Sequence, residues 1–130
     1  MSTQNINLTS AEWSVMECLW DKSPRTGREA TEWLEQRMGW NRSTTLTLLR
    51  RMEAKGAVAS DTENGMKSFR PLIRREEAAL QEAEDFLGRV YKGSLSLMVS
   101  ALTKKQALSQ AEIDELYGIL QQMEEANRCD

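Results

Sequence analysis

The stretch Asn41–Gly56, NRSTTLTLLRRMEAKG, holds the side chains best suited to engaging a ligand. Adjacent Arg50 and Arg51 follow a row of hydroxyls on Ser43, Thr44 and Thr47. On a helix, Arg42, Ser43, Thr44, Leu46, Thr47, Arg50 and Arg51 point outward, while Thr45, Leu48, Leu49 and Met52 point inward. Such an outward face suits a DNA groove. Guanidinium groups reach phosphate or guanine, hydroxyls reach phosphate or base edges, and threonine methyls meet thymine methyls. Leu46 is expected to be exposed, with a thymine methyl as the apolar partner it would otherwise lack. Asn41 caps the helix start, where unpaired backbone N–H groups can hold a phosphate. Any one arginine can equally be a solvated surface charge, so the group carries the reading.

Catalysis is not expected. The 130 residues contain no histidine, which removes imidazole acid-base chemistry and the commonest zinc ligand. No Gly-rich phosphate loop is present. The pairs Glu76/Glu77, Glu84/Asp85 and Glu124/Glu125 are adjacent on helices and so diverge, as solvated surface rather than paired acids. Trp13, Trp20, Trp33 and Trp40 read as core and boundary packing, not stacking platforms. Cys18 lies in the apolar run VMECLW and is expected to be buried, and Cys129 to be reactive. Two cysteines give neither a disulfide framework nor a zinc site. No cofactor or metal is expected.

The net charge of -3 hides an uneven split. Residues 1–75 hold 12 Lys/Arg against 9 Asp/Glu, and residues 76–130 hold 5 against 11. A basic front half can meet phosphate while an acidic rear half pairs with a second subunit. The first ten residues carry no basic and apolar leader, and no stretch is long enough to cross a bilayer. A cytoplasmic protein without membrane insertion is expected.

The elements that must position the candidate helix follow from caps and periodicity. Thr9 and Glu12 form a capping box before a helix carrying Trp13, Met16, Leu19 and Trp20. Asp21 to Arg25 reads as a loop. Thr26 and Glu29 repeat the box before a helix striped with Ala30, Trp33, Leu34 and Met38, which Gly39 ends. Gly56 ends the third helix beside Lys55. Val58 to Ser60 and Ser68 to Pro71 read as strands around Asn64-Gly65, the strongest short hairpin signal. The order is helix-helix-helix-wing. It predicts a mainly α winged helix-turn-helix domain over residues 1–73, with Lys67 and Arg70 on the wing. Arg25 and Arg28 near the second helix join them as expected phosphate contacts.

Residues 74–130 read as a helical dimerisation region. Helices from Arg74 to about Tyr91, after a break at Gly93, and after a Ser109/Glu112 cap bear Leu80, Phe86, Leu87, Val90, Leu95, Met98, Leu102, Ile113, Leu116 and Leu120. These apolar stripes have no internal partner of adequate size, so they bury against a second copy or fold back on the front domain.

The segments LTSAEWSVMECLW, WNRSTTLTLLRRM, VYKGSLSLMVSAL and ALSQAEIDELYGIL, in that order, resemble the BlaI/MecI/CopY family of bacterial repressors from about Leu8 to Gln122. The resemblance implies a homodimeric winged-helix repressor that binds dyad-symmetric double-stranded operator DNA. Asn41 to Arg51 match the recognition helix, Met66 to Arg70 the wing, and Arg74 to Gln122 the dimer region. Beta-lactam-responsive members are cut within that region after a membrane sensor-protease is activated. Their scissile Asn-Phe bond falls in a segment matched by Leu97 to Leu102, where this chain has Ser100-Ala101. Copper-responsive members carry Cys-x-Cys pairs, and a lone Cys129 does not supply that cluster. The expected function is control of beta-lactam resistance or related stress genes. The alternative is a winged-helix protein-interaction adaptor without sequence-specific DNA binding.

Overall fold

The computed structural model describes residues 6–105 and 108–128; Cys129 lies outside them. The elements run α1 (Ser10–Asp21), β1 (Arg25–Thr26), α2 (Gly27–Met38), α3 (Arg42–Lys55), β2 (Val58–Glu63), β3 (Met66–Pro71), α4 (Arg75–Val90), α5 (Leu95–Lys105) and α6 (Gln110–Arg128). The expected winged helix-turn-helix is present. Capping sets its boundaries. Thr9 and Thr26 each form the expected reciprocal box, with Glu12 and Glu29. Gly39 (φ 71°) and Gly56 (φ 86°) close α2 and α3 in the left-handed conformation that a Cβ disfavours.

The core forms where the inward faces of α1, α2 and α3 meet. Val15, Met16, Cys18 and Leu19 pack with Ala30 and Leu34, and with Leu48, Leu49 and Met52. Ala57, Val58 and Phe69 close it from the wing side. Each large apolar side chain fully withdrawn from water contributes about 1.5–3 kcal/mol, against the conformational entropy of ordering it. Burial pushes the Cys18 thiol up to about 11, so this cysteine is an inert packing group, as expected. The four tryptophans sit at the boundary, each half-buried. Trp13 and Trp20 meet edge to face at 5.2 Å, and Trp20 Nε1 donates to the Ile73 carbonyl at 2.9 Å. Met38, expected on the inward stripe of α2, is instead exposed at the last residue of that helix, whose fully buried positions are Ala30 and Leu34.

The hairpin is longer than its sequence signal. Val58–Glu63 and Met66–Pro71 pair without interruption, with Asn64 (φ 54°) and Gly65 (φ 74°) forming the expected tight turn. The loop read over Asp21 to Arg25 is shorter. The first helix runs through Asp21, and Arg25 and Thr26 form a strand that adds to β3, giving the order β1-β3-β2. No local pattern marks a two-residue strand; its partner, β3, supplies the hydrogen bonds.

The chain divides into two compact units, Met1–Ala83 and Glu84–Asp130, later than the expected division at 73/74. The first turns of α4 belong with the front unit for a physical reason. Arg75 donates to both oxygens of Glu17 at 3.1 and 2.9 Å, and Ala78 is buried. The Arg75 hydrogen bonds hold the Glu17 carboxyl below its ordinary value. In the second unit, Lys92 (φ 53°) and Gly93 (φ 81°) end α4 at the expected break. Ser109 Oγ accepts from Glu112 N–H at the start of α6. Neither α5 nor α6 has a fully buried residue.

One ion pair ties the start of α1 to the end of α3. Lys55 Nζ donates to Glu12 Oε1 at 2.6 Å and to the Asn7 carbonyl at 2.6 Å. Glu12 is only 1% exposed, and the same Oε1 accepts from Thr9 N–H at 2.9 Å. Burial raises the Glu12 pKa, but the Lys55 and Thr9 hydrogen bonds and the lysine charge outweigh it, leaving the carboxyl below its ordinary value. A depressed carboxyl stabilises the fold at pH values above its unfolded pKa. That contribution is expected to fade as pH falls from about 4.5 through the lower folded value, visible as a drop in denaturation midpoint. Lys55→Met leaves the buried carboxylate without its cation. It should lower the unfolding free energy by about 3 kcal/mol in a urea titration, and adding Glu12→Gln should recover part of the loss.

Candidate nucleic-acid interface

The third helix separates its two faces cleanly. Thr45, Leu48, Leu49 and Met52 are buried, as their spacing predicts. Arg42, Ser43, Thr44, Thr47, Arg50 and Arg51 are exposed on the other side. None of the three arginines forms an ion pair among the described residues. Asn41 Oδ1 accepts from Thr44 N–H at 2.8 Å, completing the cap, while the preceding first-turn N–H groups have no intrahelical acceptor. Three fixed positive charges therefore project with three short hydroxyl side chains from a helix whose back is locked into the core.

Leu46 corrects the expectation drawn from its position. It is half-buried and packs against the core, with Cδ2 lying 3.1 Å from where a Cβ on Gly27 would stand. The absent side chain at the first residue of α2 is what makes room for Leu46. Its outward phase on α3 points at α2 rather than at solvent, so a thymine methyl is not needed to explain it.

Arg25 is the second correction. Its side chain is 12% exposed; Nε donates to the Cys18 carbonyl at 3.0 Å and a terminal nitrogen to Asp21 Oδ2 at 2.8 Å. It closes the end of α1 and is not available to a phosphate. Arg28 remains exposed, 3.7 Å from Glu32.

Lys67 and Arg70 do not act from one surface. They are three residues apart on a strand, so they lie on opposite faces of the hairpin. Lys67 shares the face of buried Phe69, whose ring centroid is 5.5 Å away, and its Nζ lies 3.6 Å from Glu53 Oε1 of α3. Ser60 Oγ donates to the other oxygen of Glu53. Arg70 Nε donates to Asp61 Oδ2 at 3.1 Å on the opposite face. Glu53 and Ser60 carry no sequence signal for this role, and Asp61 reads only as part of an exposed hairpin tip. Strand alternation could have separated Lys67 from Arg70, but nothing local announces that α3 supplies the lysine's counter-charge.

A shallow cleft of about 420 Å³ is lined by Glu17, Trp20, Asp21, Trp33, Arg37 and Arg75, none of them on α3 or the wing. Its cations are already engaged: Arg75 by Glu17, and Arg37 stacked 4.0 Å over Trp33. The cleft is a seam of the fold. Leu46→Ala tests the corrected role of that leucine. Loss of its packing should cost about 1–2 kcal/mol in a thermal or urea melt. An exposed leucine would change stability by less than about 0.5 kcal/mol.

Comparison with known proteins agrees with this fold. Residues 8–122 match the penicillinase repressor family model. The chain is 31% identical over 115 residues to the penicillinase repressor of Bacillus licheniformis, covering 88% of this chain and 90% of that protein. It is 29% identical over 120 residues to the methicillin resistance regulatory protein MecI of Staphylococcus aureus (strain N315), covering 92% and 98%. A solved structure of monomeric Bacillus licheniformis BlaI, in complex with the blaP half-operator, matches with a TM-score of 0.51 at 26% identity. That match covers 57% of this chain and 90% of the solved one. With nearly the whole chain matched and the winged helix in place, the protein belongs to the penicillinase repressor family of DNA-binding transcription repressors.

Proposed function

We propose that this protein is a homodimeric transcriptional repressor that binds a dyad-symmetric promoter operator. The carrying observation is the exposed face of α3, where Arg42, Arg50 and Arg51 stand unpaired beside Ser43, Thr44 and Thr47. A relative sharing the winged-helix unit has been solved on a half-operator, which supports DNA as the ligand of that face. Lys67 and Arg70, from opposite faces of the wing, and Arg28 supply backbone contacts beside it.

The rear helices support the homodimer. Leu80, Phe86, Val90, Leu95, Leu102 and Leu120 are exposed in the single chain, while Leu87, Met98, Ile113 and Leu116 are half-buried. Such an apolar surface on an isolated subunit is unfavourable in water, and a two-fold interface buries the same patch from both copies. A dimer also places two α3 helices on two half-sites, spaced by about 34 Å or a multiple of it.

The regulated genes in this reading are those of beta-lactam resistance or a related stress, in the cytoplasm. Among the described residues, no helix is long and apolar enough to cross a membrane. Relief comes through a membrane sensor-protease system or another signal. Ser100 and Ala101, the proposed cleavage position, are exposed in the middle of α5. A protease reads extended chain, so cleavage there requires α5 to unwind locally.

The test is quantitative binding to a palindromic promoter fragment and to scrambled duplex. Arg50→Ala or Arg51→Ala should weaken operator binding about tenfold, with unchanged circular dichroism. Equal affinity for both duplexes would exclude sequence-specific repression. No DNA binding, together with a stable hetero-complex, would favour the adaptor. Leu120→Asp should convert the sedimenting species from dimer to monomer, and an unchanged dimer would remove Leu120 from the interface.

A further inference from the structure

The cations of α3 and those of the wing differ in one respect. Arg42, Arg50 and Arg51 have no counter-charge among the described residues. Both wing cations have one: Lys67 faces Glu53 at 3.6 Å, and Arg70 is bonded to Asp61 at 3.1 Å. With Glu63 also on β2, the two wing cations are outnumbered by the three carboxylates Glu53, Asp61 and Glu63, whereas the α3 face carries three uncompensated charges.

Glu53 cannot simply move aside. Glu53 is anchored by Ser60 Oγ, and Lys67 holds its other oxygen only loosely while remaining half-exposed. If Lys67 turns to a DNA phosphate, the Glu53 charge stays behind at close range. Exposed ion pairs at such distances are weak and exchange readily, so the lysine is free to transfer, but the departing contact and the residual repulsion oppose the gain. Asp61 lacks such an anchor and is 64% exposed, but it sits on the strand paired with that of Arg70, so its charge also stays near any phosphate that Arg70 meets.

We infer that Glu53 and Asp61 act as built-in substitutes for DNA phosphate, holding down the wing's attraction to any duplex and leaving α3 to supply most of the affinity. The inference rests on the DNA-binding reading above. It assigns Glu53 and Asp61 a role in setting sequence-independent affinity, beyond supporting the hairpin. The consequence for counterions is direct. A wing whose cations are already paired releases few on binding, and removing one carboxylate frees one cation for phosphate.

The experiment compares the full chain with Glu53→Gln and Asp61→Asn on operator and scrambled duplexes across a salt series. Glu53→Gln keeps an oxygen to accept from Ser60, and Asp61→Asn alters an exposed site, so folding is checked by melting rather than assumed. Each variant should tighten binding to both duplexes by about fivefold at low salt, and steepen the log-log salt slope by about 0.9. The Glu53→Gln gain should vanish in a Lys67→Ala background. Unchanged or weaker binding by both folded variants would overturn the inference, as would a Glu53→Gln gain that survives loss of Lys67. If the unaltered protein binds no duplex at all, the DNA-binding reading falls and this inference with it. If it binds with ordinary salt dependence while the variants match it, only the wing inference falls.

Discussion

The buried carboxylate of Glu12 holds the front unit in register. It completes the cap of α1 through Thr9 and receives the ammonium of Lys55 from the end of α3. Charge is costly to withdraw from water, so a group this deep is tolerated only when partners surround it. Here the partners, Thr9 at the cap of α1 and Lys55 at the end of α3, both meet Oε1, and the buried Oε2 has no hydrogen-bond partner among the described residues. The ion pair therefore fixes where α3 ends relative to where α1 begins, and Gly56 then turns the chain into the wing. A single apolar pair in the same place could supply comparable stability, but it would not demand one lateral position.

The division of labour on α3 follows from that anchoring. Its back fills the core with Thr45, Leu48, Leu49 and Met52, so its rotation about its own axis is settled. Leu46 adds a lateral stop, because the missing Cβ of Gly27 allows close approach to the first turn of α2. With rotation and approach both set, the exposed arginines and hydroxyls are held by backbone geometry rather than by contacts of their own. That arrangement suits recognition, since side chains without internal partners have none to give up on meeting a ligand. The wing is built differently. Its cations are tied to Glu53 and Asp61, so its order and its charge are coupled.

The rear helices show the opposite economy. Their ends are well specified, by Ser94 Oγ accepting from Leu97 N–H and Ser109 Oγ from Glu112 N–H. Their apolar faces, however, find no buried position in α5 or α6. Local signals make a helix, but only a partner surface removes its stripe from water.

What could be read from the residues alone was what depends on near neighbours. Both capping boxes, the Asn41 cap, the glycine helix ends and the Asn64-Gly65 turn act over a few residues, so each was legible and each is present. The buried face of α3 followed from helical periodicity for the same reason. The third dimension decided the rest. Leu46 looked exposed because its phase on α3 is outward, but the neighbouring helix begins there with a glycine. Arg25 looked free because its sequence neighbours form a turn, yet the end of α1 lies within its reach. The strand at Arg25 and Thr26 exists only because β3 offers it hydrogen bonds, and Glu12 meets a lysine 43 positions away. Periodicity and caps are set by backbone geometry that every chain shares; a long-range partner is chosen by packing, which becomes definite only once the elements have assembled.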